Sequence, residues 1–108
     1  MYEGIQLKSS HLVINDNLSR ELFGGSATVY VSYNSEQRVM LVSPNSNTWF
    51  PKLHKTKECM LKAKDLLGTT SIGIREFIID HDLVNEDREL EYEINQRKRF
   101  LKIEIGRS

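Results

Sequence analysis

The amino-acid sequence predicts a small α+β fold, rich in strand, in which one unit of strand, short helix and β-hairpin occurs twice. Three observations predict it. The stretch YNSEQRVMLV (Tyr33 to Val42) returns as INQRKRFLKI (Ile94 to Ile103) at an offset of 61 (94 − 33), with the same succession of apolar residue, Asn, polar turn, Arg and strand. Each copy is preceded by a short apolar run and then by a segment with helical spacing. The second copy also alternates cleanly, Leu90, Tyr92 and Ile94 against Glu89, Glu91 and Glu93, as a hairpin with one buried and one wet face should.

In the first copy, HLVI (His11 to Ile14) reads as a strand, and Asn15, Asp16 and Asn17 follow as residues able to cap a helix with their side-chain oxygens. LSRELF puts Leu18, Leu22 and Phe23 on one helical face, and the Gly24-Gly25 pair supplies the backbone freedom at which such a helix stops. ATVYVSY and RVMLVSP then form a hairpin across the turn NSEQ, closed by Pro44.

The second copy repeats this order: SIGI as strand, REFIIDHDL as helix, VNED as connector, RELEYEI and RKRFLKIEI as hairpin. Ile14 aligns with Ile74 and Leu18 with Ile78 at an offset of 60. After one inserted residue, Val31 aligns with Tyr92, Asn34 with Asn95 and Arg38 with Arg99 at 61. Such a unit is too small to bury its apolar face alone, so the two copies are expected to pack on each other about a pseudo-twofold. The chain is then a single domain, 1–108, with repeat one at about 5–44, a basic connector at about 45–64 and repeat two at about 65–105. Within TKECMLKAKDLLG the pattern fits either a helix or a strand, and residues 56–67 stay open between them.

Composition bounds the function. At 108 residues, 39% hydrophobic and 28% charged, the chain can bury a core without metal or disulfide, although the modest apolar share favours self-association into a homo-oligomer. Its longest apolar run, Val39 to Val42, is far below the roughly 20 residues of a membrane helix, and MYEGIQLKSS has no signal-peptide pattern, so the expected location is cytoplasmic, without a membrane partner. The single cysteine, Cys59, reads as a buried small hydrophobe. Net charge is zero but bipolar. Residues 1–64 hold eight Lys/Arg and five Asp/Glu, whereas residues 65–108 hold seven and ten.

The run IREFIIDHDLVNEDRELEYEI resembles, without a gap, the helix, charged turn and alternating strand of the AbrB/SpoVT swapped-hairpin transcription regulators. Two such units in one chain resemble the MraZ-like branch of that family. The start MYEG, Pro44 followed by Trp49, and DLLG before the second unit fall where such chains have comparable residues. The resemblance implies a swapped-hairpin fold, DNA binding and transcription regulation. The family's Asp-three-residues-Arg signature is replaced by LKSSH (Leu7 to His11) and DLLGT (Asp65 to Thr69), so specificity must lie elsewhere or be lost.

The residues expected to touch phosphates are Lys52, Lys55, Lys57, Lys62 and Lys64 of the connector and the hairpin cluster Arg97, Lys98 and Arg99. Trp49 and Phe50 beside them either anchor the crossover between repeats or add an aromatic surface for a partner. The alternative function is a non-enzymatic protein-interaction or assembly module that kept the scaffold, with basic and acidic ends pairing between chains. No enzyme is expected. His11, His54 and His81 lie in separate segments without metal-ligand spacing, and Asp80-His81-Asp82 reads as an exposed helix end. No phosphate loop surrounds the glycine pair, and no cofactor, metal or small-molecule substrate is implied.

Overall fold

The computed structural model describes residues 4–24, 26–63 and 68–105. Among them are ten strands in two five-stranded antiparallel sheets and three helices. In chain order these are β1 (Ile5–Lys8), β2 (His11–Ile14), α1 (Asp16–Phe23), β3 (Thr28–Asn34), β4 (Val39–Pro44), α2 (Phe50–Leu53), β5 (Lys57–Met60), β6 (Lys62–Ala63), β7 (Thr70–Gly73), α3 (Arg75–Asp80), β8 (Arg88–Leu90), β9 (Tyr92–Asn95) and β10 (Phe100–Ile103). One sheet runs β6-β7-β2-β1-β8 and the other β5-β3-β4-β10-β9.

The two sheets share their edges. Only Leu61 separates β5 from β6, and only Glu91 separates β8 from β9. One continuous segment therefore supplies an edge strand to each sheet on both sides of the molecule. Backbone hydrogen bonds carry the pairing across both junctions, Leu61 N–H to the Ala27 carbonyl and Glu104 N–H to the Glu91 carbonyl, each 2.9 Å. The two sheets are thereby joined along both sides, with β5, β6, β8 and β9 as edge strands that each pair with one neighbour. The shift between sheets at Glu91 also interrupts the alternation expected there: Leu90 is buried, Ile94 half-buried and Tyr92 exposed.

The open segment 56–67 is strand where it is described, at 57–60 and 62–63; residues 64–67 lie outside the described residues. Cys59 and Leu61 lean on the core while Met60 and Lys62 face out. Two elements had no anticipated counterpart. β1 is tied to β2 by a two-residue turn in which Ser9 (φ 49°) and Ser10 (φ 63°) both take the left-handed backbone that matches strand twist. α2 is a single turn with Pro51 at its start.

The two longer helices differ in how they are held. Asn15 caps α1, its Oδ1 accepting from the Leu18 N–H at 2.9 Å, and Gly24 ends it at φ 53°. Leu18, Leu22 and Phe23 are buried, as their spacing predicts. α3 has no side-chain cap and stops at Asp80, short of the expected 75–83, because Asp82 turns left-handed (φ 51°) and the Leu83 N–H closes on the Ile78 carbonyl. The connector after it is fastened by Arg88, whose guanidinium donates to the carbonyls of Val84, Glu86 and Ile105.

The core lies between the sheets. Ile5, Leu7, Leu12, Ile14, Val29, Val31, Met40, Val42, Ile72, Leu101 and Ile103 are fully buried in it. At about 1.5–3 kcal/mol per buried aliphatic side chain, this layer is the main stabilising term of the fold. Three strand pairs join the halves of the chain: β1 with β8, β2 with β7 and β4 with β10. In the β2–β7 pair Leu12 lies opposite Ile72, an offset of 60 (72 − 12). In the β4–β10 pair Leu41 lies opposite Lys102, an offset of 61 (102 − 41).

Candidate nucleic-acid interface

The turn between β9 and β10 carries three of the expected cations, and its shape follows from two residues. The Asn95 Oδ1 accepts from the Lys98 N–H at 2.9 Å, while the Asn95 carbonyl accepts from the Arg99 N–H at 2.7 Å. Arg99 then takes φ 59° to rejoin the strand. This tight turn places Arg97 and Lys98 at the exposed tip of the hairpin.

Residues from the crossover brace that tip. The Asn47 Nδ2 donates to the carbonyls of Lys98 (3.1 Å) and Arg99 (2.9 Å) and to the Ser43 Oγ, coupling the tip to the end of β4. Trp49 packs edge-on against Phe50 and Phe100, with ring centroids 5.6 and 6.2 Å away, and the Lys98 Nζ stands 5.9 Å over the indole, a cation–π contact. Phe50 is fully buried. The aromatic pair thus divides the two roles the sequence left open: Phe50 anchors the crossover and Trp49 remains half-buried at the surface. Leu53, 69% exposed, completes a shallow groove of about 470 Å³ with Asn47, Trp49, Arg97, Lys98 and Arg99. The Arg99 guanidinium also donates to the Glu21 carbonyl at the end of α1.

The connector lysines do not gather in this groove. Lys52 is exposed on α2 and Lys55 is exposed beyond it, in a second depression with Tyr33, Asp80 and His81. Lys57 pairs with Glu76. Lys62 lines a third cleft that also holds Glu58 and Glu76, and Glu58 accepts from the Thr28 hydroxyl. Lys64 falls outside the described residues. The run, basic in sequence apart from Glu58, is also interleaved in space with Glu76 and Asp80 of α3, neighbours invisible to a linear charge count.

The remaining reactive side chains have structural settings. His81 lies against Tyr33, with ring centroids 4.5 Å apart, and stacks on Phe77. Burial pushes the Cys59 thiol up from 9.0; Lys57 opposes this and Glu58 adds to it, so the sulfur is neutral at physiological pH. Among the described residues no three His, Cys, Asp or Glu side chains converge as a metal site, and no helix is long and apolar enough to cross a membrane. Comparison with protein-family models, with curated proteins and with solved structures gives no match.

Proposed function

We propose that the chain is a DNA-binding regulator made of two AbrB-like swapped-hairpin units, and that it holds DNA phosphates with the tip of the β9–β10 hairpin. The strand order supports the architectural half. Exchanging β1, β2, β3 and β4 with β6, β7, β9 and β10 maps the neighbours β6-β7-β2-β1 onto themselves in reverse, and likewise β3-β4-β10-β9. The pairs at the centres of these runs, Leu12 with Ile72 and Leu41 with Lys102, have the offsets 60 and 61 at which the two halves of the sequence align. Both agree with a pseudo-twofold through each sheet. A regulator of this kind acts in the cytoplasm.

The observation that carries the functional half is the convergence of Arg97, Lys98 and Arg99 on Trp49 and Asn47. Three cations on a braced turn provide counter-charge to successive phosphates, and the indole edge offers an apolar contact to sugar or base. Such contacts position a protein on the duplex without reading its sequence, in keeping with the replaced family signature. Fluorescence anisotropy with random-sequence duplex tests it, with Trp49 emission as a second readout, because this is the single tryptophan of the chain. Three phosphate contacts give a slope of log K against log salt of roughly −2.7. Absence of binding at low salt would end this proposal.

A second reading, a homo-oligomeric interaction module, is favoured by the exposed apolar side chains Leu53, Met60, Ile79 and Val84, each more than half exposed, on a chain of zero net charge. Sedimentation at two salt concentrations separates the readings: an oligomer that persists as salt rises, as apolar contacts would make it, together with no DNA binding, favours the module.

A further inference from the structure

A cleft of about 660 Å³ lies where β5 passes into β6 and faces the start of α3 and the β1–β2 turn; it shares no lining residue with the Trp49 groove. Its volume falls in the roughly 300–1,000 Å³ range of small-molecule sites. One wall is rigid. The Ser9–Ser10 turn is fixed by the Ser9 N–H donating to the Asp87 Oδ1 at 2.9 Å and by Ser10 and Asn85 bonding side chain to side chain. The Lys57–Glu76 ion pair joins β5 to α3 across the cleft and neutralises both groups. Glu58 is engaged by Thr28. That leaves three charges without an ion pair among the described residues, the exposed cations Lys62 and Arg75 and the carboxylate of Glu58, so the site carries a net positive charge.

Between the charges the surface is apolar: Cys59 and Phe77 are half-buried and Met60 is 64% exposed. His11 is oriented toward the same space. Its Nδ1 lies 2.7 Å from the Ser9 carbonyl, which can only accept, so Nδ1 carries the proton there and Nε2 is left beside Gly73. We propose that this cleft binds a small aromatic anion, its carboxylate or phosphate held by Lys62 and Arg75 and its ring laid on Met60 and Phe77. Neither feature alone selects such a ligand. Two cations without an ion pair among the described residues, outnumbering the one unpaired carboxylate of Glu58 and set beside an exposed apolar patch, do select it. An inorganic anion would leave the patch wet, and a neutral aromatic would leave the excess positive charge without counter-charge.

Titration with anilinonaphthalene sulfonate, an aromatic anion that becomes emissive in apolar surroundings, tests the site on the intact chain. The expected result is saturable binding of one probe per chain that weakens at least tenfold in the double variant Lys62→Gln/Arg75→Gln and is unchanged in Arg97→Gln/Lys98→Gln. Both pairs are exposed, and circular dichroism verifies that each variant is folded. Competition with benzoate and with phenyl phosphate identifies the head group, and displacement by either supports the proposal. Unsaturable binding, equal binding by the Lys62/Arg75 variant, loss in the Arg97/Lys98 variant, or displacement by neither competitor would overturn it. The DNA reading is untouched by any of these outcomes, since its own test reports on Trp49 and salt.

Discussion

The two hairpin tips of this protein share a backbone and differ in chemistry. At the first, the Asn34 Oδ1 accepts from the backbone N–H groups of Glu36 and Gln37, and Arg38 closes the turn at φ 58°. At the second, Asn95 and Arg99 do the same work at φ 59°. The turn residues between them are Ser35, Glu36 and Gln37 in one and Gln96, Arg97 and Lys98 in the other. The first tip lies beside Lys102 and Glu104, so charges of both signs meet there. The second lies beside Trp49 and is held by Asn47. The repeated Asn supplies the turn's side-chain acceptor and the repeated Arg occupies its left-handed position, and the residues free to vary between them decide what each tip can bind.

The strongest way to break this comparison is to exchange the tips. Replacing Gln96, Arg97 and Lys98 by Ser, Glu and Gln keeps Asn95 and Arg99, so the hairpin should form with its stability nearly unchanged in urea denaturation. DNA binding should be lost. The unmodified protein should weaken roughly 40-fold between 50 and 200 mM salt, as expected for three phosphate contacts, and the exchanged chain should show no such dependence. If the exchanged chain still binds with the original slope, the connector lysines carry the interaction.

Next in size is the brace. Asn47→Ala removes the donor to two tip carbonyls and should cost about 1–2 kcal/mol in chemical denaturation. It should also lower DNA affinity without changing the salt slope, since the charges remain. The equivalent asparagines sharpen the comparison: Asn34→Ala and Asn95→Ala should each cost about 1 kcal/mol, because both remove a turn-forming side-chain acceptor. A large difference between the two would mean that the turns are not equivalent.

Smaller, and of opposite sign, is the effect of glycine at the left-handed positions. Arg38→Gly and Arg99→Gly should each raise stability by about 1 kcal/mol by relieving the Cβ clash. Arg99→Gly alone should also reduce the salt slope. The smallest effect concerns Cys59, which pairs with Val29 on the strand leading to the first tip. Its thiol is raised by burial, so the stability it contributes is full below the ordinary thiol range and is lost as pH rises through it toward the folded value. An alkaline pH series should show a slight decline that Cys59→Ala abolishes.

Much of the fold was legible in the sequence because its elements carry local chemistry. Asn15 and Gly24 bracket α1, apolar alternation marks β3 and β10, the apolar run Val39 to Val42 closed by Pro44 marks β4, and the repeated Asn and Arg mark the turns. What was not legible depends on distant partners. β1 is four residues long, and its strand character comes from pairing with β2 on one side and β8, more than eighty residues away, on the other. The single turn of α2 exists because Phe50 is buried against Phe100. At the candidate site, Arg97, Lys98, Arg99 and Trp49 were each identifiable, but their meeting depends on Asn47, a residue with no sequence signal beyond being polar. The neutralisation of Lys57 by Glu76 was hidden for the same reason.

The most direct test of the central claim is the salt dependence of duplex binding by the unmodified and tip-exchanged proteins, measured side by side by anisotropy. A slope of roughly −2.7 for the first, accompanied by quenching of Trp49, and no measurable binding by the second would establish the β9–β10 tip as the phosphate-binding element. Equal slopes for the two proteins, or no binding by either at 50 mM salt, would contradict it.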